Sequence, residues 1–107
     1  MKKPIISVVV PAFNEERFIG ACVDSLKKQD FDKPYEIIVV DNNSTDKTAS
    51  IAKEYGARVI HERKKGRGAA RQAGFKNARG EYILSTDADS VVPTDWIAQL
   101  YNVLQTG

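Results

Sequence analysis

The segment IISVVVPAFNEE, residues 5–16, joins an apolar, β-branched run to a polar turn. The run from Ile5 to Val10 is typical of a strand covered on both faces, and we expect Pro11 to end it because proline cannot donate to a sheet ladder. Asn14 is the expected N-cap of a helix from Glu15 to Gln29, where apolar residues recur at helical spacing. A buried strand followed by an amphipathic helix predicts the first part of a βαβ unit.

The same alternation repeats along the chain. Further strands are predicted at Glu36 to Val40, Arg58 to His61 and Glu81 to Ser85, each followed by a helical segment. Four strands alternating with four helices predict an α/β fold with a Rossmann-like, open, mainly parallel sheet and helices on both faces. A length of 107 residues fits one domain, expected to span residues 1–107.

Charge argues against nucleic acid as a partner. Sixteen Lys and Arg against fourteen Asp and Glu leave a net charge of +2, too small to require a polyanion. Five basic side chains lie between His61 and Arg71 beside two glycines and no aromatic residue. Such a loop suits a phosphate-bearing ligand, whereas single-strand nucleic-acid sites add aromatics; a solvated charge run is an equally open interpretation.

Cysteine content and hydropathy bear on location. Cys22 is the only cysteine, so no intrachain disulfide can form, and its apolar surroundings predict a buried, inert thiol. A reducing compartment fits, and we expect a cytoplasmic protein. The apolar run near the N-terminus is too short for a signal peptide, and no membrane segment is expected because no stretch approaches the length of a bilayer span.

Polar or acidic clusters follow three of the strands. They are Pro11 to Glu15, Asp41 to Asn43, and Thr86 to Asp89. Because ligands of open parallel sheets bind beyond the carboxyl ends of the strands, these clusters predict one shared site.

Asp87 and Asp89 are the candidate metal ligands. Two carboxylates just past a strand can hold one hard cation, Mn²⁺ or Mg²⁺, which can bridge two phosphates. The spacing itself is weak evidence, since Asp30-Phe31-Asp32 repeats it in a predicted helix-to-strand turn. Position selects Asp87 and Asp89.

Two further side chains admit alternative interpretations. Asp41 can accept a hydrogen bond from a nucleobase or ribose, or it can cap the next helix together with Asn43. Arg71 can bind a phosphate or a base, or it can be an ordinary exposed helix charge. His61 has no second histidine or cysteine near it in sequence and is interpreted as a strand-end residue.

Three strings in order carry a family resemblance: ISVVVPAFNEERFIGACVDSL, EIIVVDNNSTDKTASIA and KGRGAARQAGFKNARGEYILSTDADS. Together they resemble the N-terminal, nucleotide-sugar-binding part of family 2 glycosyltransferases, which have the GT-A fold. The resemblance implies strand order 3-2-1-4 and a truncated GT-A fold. It also implies a nucleoside pocket lined by Pro11, Ala12, Phe13 and Glu15, with Asn43, Arg71 and Ala88 also in the substrate site. By the same resemblance, Asp41 contacts the base, Asp87 the ribose or metal, and Asp89 the metal against the diphosphate.

The expected ligand is a nucleoside-diphosphate sugar, most simply a UDP-sugar, bound with Mn²⁺ or Mg²⁺. The family's catalytic base and acceptor-binding segments come well after the D-x-D, so we expect this chain to bind the donor without completing an inverting transfer. A non-catalytic binding or assembly module is the alternative. A phosphorelay receiver is disfavoured, because Val59-Ile60-His61 lacks the aspartate that such a protein needs there.

Self-association is also expected. In the order 3-2-1-4 the fourth strand is an unpaired edge. The last helix has an apolar face that we expect another surface to cover. This face consists of Trp96, Ile97, Leu100, Tyr101 and Leu104. The simplest outcome is a two-fold homodimer through this strand or helix.

Overall fold

The structure, a computed structural model, describes residues 3–106 as alternating strands and helices. In chain order they are β1 (Ile6–Ala12), α1 (Ile19–Lys27), β2 (Tyr35–Asp41), α2 (Thr48–Glu54), β3 (Arg58–His61), α3 (Arg67–Asn77), β4 (Tyr82–Ser85) and α4 (Trp96–Thr106). The strands form one parallel sheet in the order β3-β2-β1-β4. The predicted fold class and strand order are both confirmed.

Helices cover the two faces of the sheet unequally. Alternate residues of β1 point to opposite faces, so Val8 packs in a large cluster with α1, α2 and α4, while Val9 packs in a small one with α3. The large cluster contains Leu26 of α1 and Ile97 of α4, both fully buried. Helix α3 alone covers the second face, so its packing determines where the side chains of its N-terminal turn lie relative to the sheet.

Gly74 sets how closely α3 approaches the sheet. A β-carbon there would lie 2.3 Å from Cγ1 of Val9 and 3.1 Å from Cγ2 of Val40. Only glycine allows the helix to pack at this distance. Because residues three, four or seven apart share a helix face, Arg67 and Arg71 lie on the same side of α3 as Gly74, closer to the N-terminus of the helix and so toward the carboxyl ends of the strands.

Pro11 does not end β1, which was the sequence expectation. The strand continues to Ala12, and Pro11 pairs with Val40 of β2. Ala12 accepts a hydrogen bond from Asn42 on the β2 side, so the alternation of the backbone places the Pro11 nitrogen on the β4 side. Strand β4 ends at Ser85, opposite Val9, so it does not extend alongside Pro11. The missing N–H of Pro11 therefore costs the sheet no hydrogen bond.

The predicted helix start at Glu15 is also wrong, and Asn14 is not an N-cap. Residues 16–18 form a turn in which the Glu15 carbonyl accepts from the amides of Phe18 and Ile19, and α1 begins only at Ile19. Asn14 has φ 52°, and its side chain serves another loop. The polar segment between β1 and α1 is thus a structured loop of its own.

Part of the exposed apolar surface predicted for the last helix is absent. Ile97 is fully buried, whereas Val103 and Leu104 near the end of α4 are exposed. Ile83 on β4 is 41% exposed, and among residues 3–106 this strand pairs only with β1. Self-association through this edge or helix stays a prediction: light scattering should detect a dimer that Leu104→Glu weakens, and a monomer at high concentration would contradict it.

None of the helices within residues 3–106 has the length and apolar character needed to cross a membrane.

Candidate ligand site at the carboxyl edge of the sheet

The loop after β1 is tied to the loop after β2 by hydrogen bonds in both directions. We call these bonds the loop clamp. They are Asn14 N to Ser44 Oγ (2.9 Å), Thr45 N to Asn14 Oδ1 (2.8 Å), Glu15 N to Thr48 Oγ1 (2.8 Å), Glu16 N to Asp46 Oδ2 (3.2 Å) and Lys47 N to Glu16 Oε2 (3.3 Å). Thr48 is fully buried, and its hydroxyl also donates to Asp46. The clamp fixes the position of two clusters predicted to face ligand.

Glu15 connects this clamp to the acidic residues after β4. Burial raises the pKa of the Glu15 carboxyl, the neighbouring Asp89 and Asp87 carboxylates raise it further, and Arg67 opposes them. Carboxylates influence one another in this way only when they lie close together. The structure therefore brings Glu15 into the same region as the two predicted metal ligands.

Asp87 and Asp89 lie just beyond the end of β4, in a turn closed by a backbone hydrogen bond. The Asp87 carbonyl accepts from the Ser90 amide at 3.0 Å, while Ala88 between the two aspartates is buried in the core. Asp89 is exposed, and the Asp87 carboxylate is about half exposed at 48%. Both carboxylates are therefore accessible to a ligand, whereas the Ala88 side chain is not.

Within residues 3–106 no three side chains of His, Cys, Asp or Glu cluster closely enough to form a complete metal site. Two carboxylates still fit Mg²⁺ or Mn²⁺, because such ions are commonly held by one or two protein carboxylates together with substrate phosphates and water. The donor set therefore suits a cation that binds together with a phosphate-bearing ligand.

Two arginines of α3 face Asp87. The guanidinium groups of Arg67 and Arg71 lie 3.7 Å and 3.9 Å from Oδ1 of Asp87, at the limit of an ion pair. In the described part of the chain, the buried Nε of Arg71 has no hydrogen-bond partner. Donors with unused capacity next to a pair of carboxylates form a site that can receive an anion together with its cation.

Asp41 is buried at the end of β2, with both carboxylate oxygens occupied. Oδ1 accepts from the Ser44 amide at 3.2 Å, and Oδ2 lies 3.2 Å from Nδ1 of His61. Ser44 lies in the loop before α2, which begins at Thr48 without a side-chain cap, so this contact holds the loop and does not cap the helix. A carboxylate oxygen can accept a second hydrogen bond, so these contacts leave capacity for a ligand.

Phe13 and Asn43 border a cavity of about 380 Å³, within the usual size range of small-molecule sites. Its other lining residues are Asn42, Lys65, Gly66 and Arg67. Phe13 is 57% exposed, and Asn43 is exposed with φ 66°. Pro11 and Ala12, predicted beside Phe13, lie in β1 instead, with Ala12 buried in the core.

Cys22 is buried, as predicted. Its thiol lies 3.6 Å from the Asp87 carbonyl, and burial raises the pKa of the Cys22 thiol to about 11, with a further contribution from the Asp89 carboxylate. A thiol that stays protonated at neutral pH is a poor nucleophile and a poor metal ligand.

Sequence reasoning missed three polar residues near this edge. His61 was detectable, because it ends β3 in register with Asp41 at the end of β2. Thr48 and Asn42 were not, since their roles depend on contacts with loops about twenty to thirty residues away in sequence.

A parallel α/β sheet with acidic, polar and basic loops at its carboxyl edge is typical of the class of α/β proteins that bind their ligands at this edge, nucleotides among them. The chain belongs to glycosyl transferase family 2, whose sequence profile matches residues 7–107. It is 37% identical over 105 residues to a putative glycosyltransferase, EpsH, of Bacillus subtilis, covering 94% of this chain and 30% of that protein. It is 39% identical to a low-salt glycan biosynthesis hexosyltransferase, Agl6, of Haloferax volcanii, covering 97% of this chain and 25% of that protein.

Solved structures of similar fold are GT-A glycosyltransferases. The N-terminal region of Staphylococcus aureus TarS in complex with UDP superposes with a TM-score of 0.84 at 32% identity, covering 94% of this chain and 32% of that one. Glucosyl-3-phosphoglycerate synthase of Mycobacterium tuberculosis, solved with Mn²⁺ and UDP, gives 0.85 at 32% identity, covering 97% of this chain and 40% of that one. The mannosyltransferase PcManGT of Pyrobaculum calidifontis, solved with GDP-Man and Mn²⁺, gives 0.88 at 29% identity, covering 97% of this chain and 33% of that one.

The chain spans 30% of the length of EpsH and 25% of that of Agl6, and between 32% and 40% of the three solved chains.

Proposed function

We propose that this chain binds a nucleoside-diphosphate sugar, most simply a UDP-sugar, together with Mn²⁺ or Mg²⁺, as the donor-binding part of an inverting glycosyltransferase. The observation that carries the proposal is the pair of accessible carboxylates just after β4, of which Asp87 faces the two arginines of α3. Carboxylates for a cation and guanidinium groups for phosphate oxygens are the two requirements of a metal-bound diphosphate.

Asp89, with Asp87, would hold the cation. A divalent cation at this point would neutralise the charge that develops on the diphosphate leaving group when the bond to the sugar breaks. The cation would also relieve the repulsion between these carboxylates and Glu15 that raises the pKa of the Glu15 carboxyl. Arg71 would donate to a phosphate oxygen from the terminal nitrogen of its guanidinium group, which lies beside Asp87.

The nucleoside is assigned to the cavity beside Phe13. Its size admits a base and ribose, and the exposed ring of Phe13 offers a stacking surface. Asp41 is our candidate for a base contact through its remaining acceptor capacity, and Asn43 and Lys65 are candidates for ribose and phosphate contacts. Pro11, Ala12 and Ala88 would shape the site through the backbone, because the two alanines are buried.

Sugar transfer to an acceptor also needs a base that deprotonates the acceptor hydroxyl. We assign that step to the whole enzyme rather than to residues 1–107. The donor-binding proposal can be tested without it, because binding needs no acceptor.

The test is a thermal-shift panel of UDP, GDP, dTDP and CDP, each with and without Mn²⁺. A ligand that binds only the folded state raises the melting temperature by mass action, and we expect UDP with Mn²⁺ to give the largest shift. Mn²⁺ alone is the control. A flat response to every nucleotide would contradict donor binding and favour a non-catalytic assembly module that keeps the fold.

A further inference from the structure

Asn42 is the first residue after β2, and its side chain is bonded to the loop that follows β3. It is 9% exposed, and its backbone amide donates to the Ala12 carbonyl at 2.8 Å. Its side-chain Nδ2 donates to the carbonyls of Glu62 (2.9 Å) and Lys64 (2.8 Å), and Oδ1 accepts from the Gly66 amide at 3.1 Å. All three side-chain bonds end on residues 62–66, which we call the basic loop.

Only an amide satisfies this arrangement. Two carbonyl oxygens face one end of the Asn42 side chain and an N–H faces the other, so the position requires two donors and an acceptor on one planar group. A carboxylate would place an oxygen against both carbonyls, and an aliphatic side chain would leave three backbone groups without partners. Side chains that meet so specific a demand usually fix a conformation.

The conformation being fixed is the entry into α3. Gly66 has φ 116° and precedes Arg67, the first residue of the helix, so the amide held by Asn42 lies where the basic loop becomes α3. Lys65 and Arg67 flank Gly66, and all three line the cavity beside Phe13. Asn42 thereby links the end of β2 to the basic groups of the candidate phosphate site.

We infer that Asn42 is a positioning residue that holds the basic loop ready for the diphosphate of the donor, an inference that rests on the proposed function. Asn42 and the neighbouring Asn43 both border the cavity, but Asn43 is exposed, whereas the Asn42 side chain is buried and bonded to the basic loop. Asn42 acts through the loop and not by touching ligand. Losing it should therefore cost affinity for phosphate more than affinity for the nucleoside.

The test compares the full chain with Asn42→Asp, which keeps the size of the side chain, and with Asn42→Ala, which adds no charge. Asn102→Asp on the exposed surface of α4 is the control, because it makes the same chemical change away from the loop. Hydrogen exchange of the ligand-free proteins should show the Gly66 amide exchanging about tenfold faster in both Asn42 variants and unchanged in the control. Affinity for UDP with Mn²⁺ should fall by about tenfold, and affinity for uridine should fall less.

Four outcomes would overturn the inference. Unchanged exchange at Gly66 in Asn42→Ala would mean that Asn42 does not hold the loop. Equal losses of UDP and uridine affinity would mean that the loop does not serve the diphosphate. Wild-type affinity for UDP in both variants would overturn this inference alone, whereas a wild-type protein that binds no nucleoside diphosphate would overturn the proposed function and this inference with it.

Discussion

The loops that follow β1 and β2 differ sharply from the turn that follows β4, although all three lie at the same edge of the sheet. The first two hold each other through the loop clamp, with buried Thr48 at its centre. The turn after β4 presents Asp87 and Asp89 to solvent, and the arginines facing Asp87 lie at 3.7 Å and 3.9 Å. The loops after β1 and β2 are held by hydrogen bonds within the protein, whereas the charged groups around the turn after β4 are left available to a ligand.

Physical chemistry explains the division. Backbone amides that leave water need acceptors, so the partly buried bond from the Glu15 amide to Thr48 is needed for stability, whereas the other bonds of the loop clamp are exposed and each contribute less. Exposed ion pairs contribute at most about 1 kcal/mol and leave their charges available. Substitutions in the clamp should therefore reduce stability, whereas substitutions after β4 should reduce binding and leave stability almost unchanged.

The largest stability effect is expected for Thr48→Val. Valine has nearly the same shape, but it leaves the Glu15 amide without its acceptor and removes the hydroxyl donor to Asp46, which keeps its bonds from the amides of Thr48 and Glu16. The free energy of unfolding should fall by about 2 kcal/mol. Ser50→Ala removes an exposed hydroxyl from the same helix and should change it by less than about 0.5 kcal/mol. Urea unfolding measures both, and similar values for the two variants would argue against the clamp.

Asn14→Ala should have a smaller effect, of about 1 to 2 kcal/mol. Alanine loses the bond from the Thr45 amide and must also adopt φ 52°, which is unfavourable for residues other than glycine and asparagine. Asn14→Gly loses the same bond without the backbone strain. In the same urea experiment, we expect the glycine variant to be less stable than wild type and more stable than the alanine variant. A glycine variant as stable as wild type would mean that the hydrogen bond from Thr45 to Asn14 contributes nothing.

The same contrast explains how far the sequence could be interpreted. The four strands and the grouping of their polar ends were predicted from the apolar runs, and the strand order was predicted from the family resemblance. Pro11 and Asn14 were misassigned because their conformations depend on neighbours distant in sequence: the end of β4 for one and the loop after β2 for the other. Asn42 and Asn43 look alike in sequence, yet the Asn42 side chain is buried and bonded to the basic loop, whereas Asn43 is exposed. Local patterns carry no information on that difference.

A substitution at Asp89 tests the prediction that the turn after β4 serves binding and contributes little to stability. Asp89→Asn should leave the free energy of unfolding within about 0.5 kcal/mol of wild type, because the side chain is exposed and outside the core. Asp30→Asn is the matched control, since Asp30 belongs to the second D-x-D of the chain and lies in the exposed segment between α1 and β2.

Calorimetric titration of UDP in the presence of Mn²⁺ into wild type, Asp89→Asn and Asp30→Asn tests the central claim most directly. We expect wild type and Asp30→Asn to bind with equal affinity and Asp89→Asn to bind about tenfold more weakly or not at all, because the cation loses a charged ligand. Equal affinities for all three proteins, or UDP binding that does not depend on Mn²⁺, would contradict a metal-assisted donor site at the end of β4.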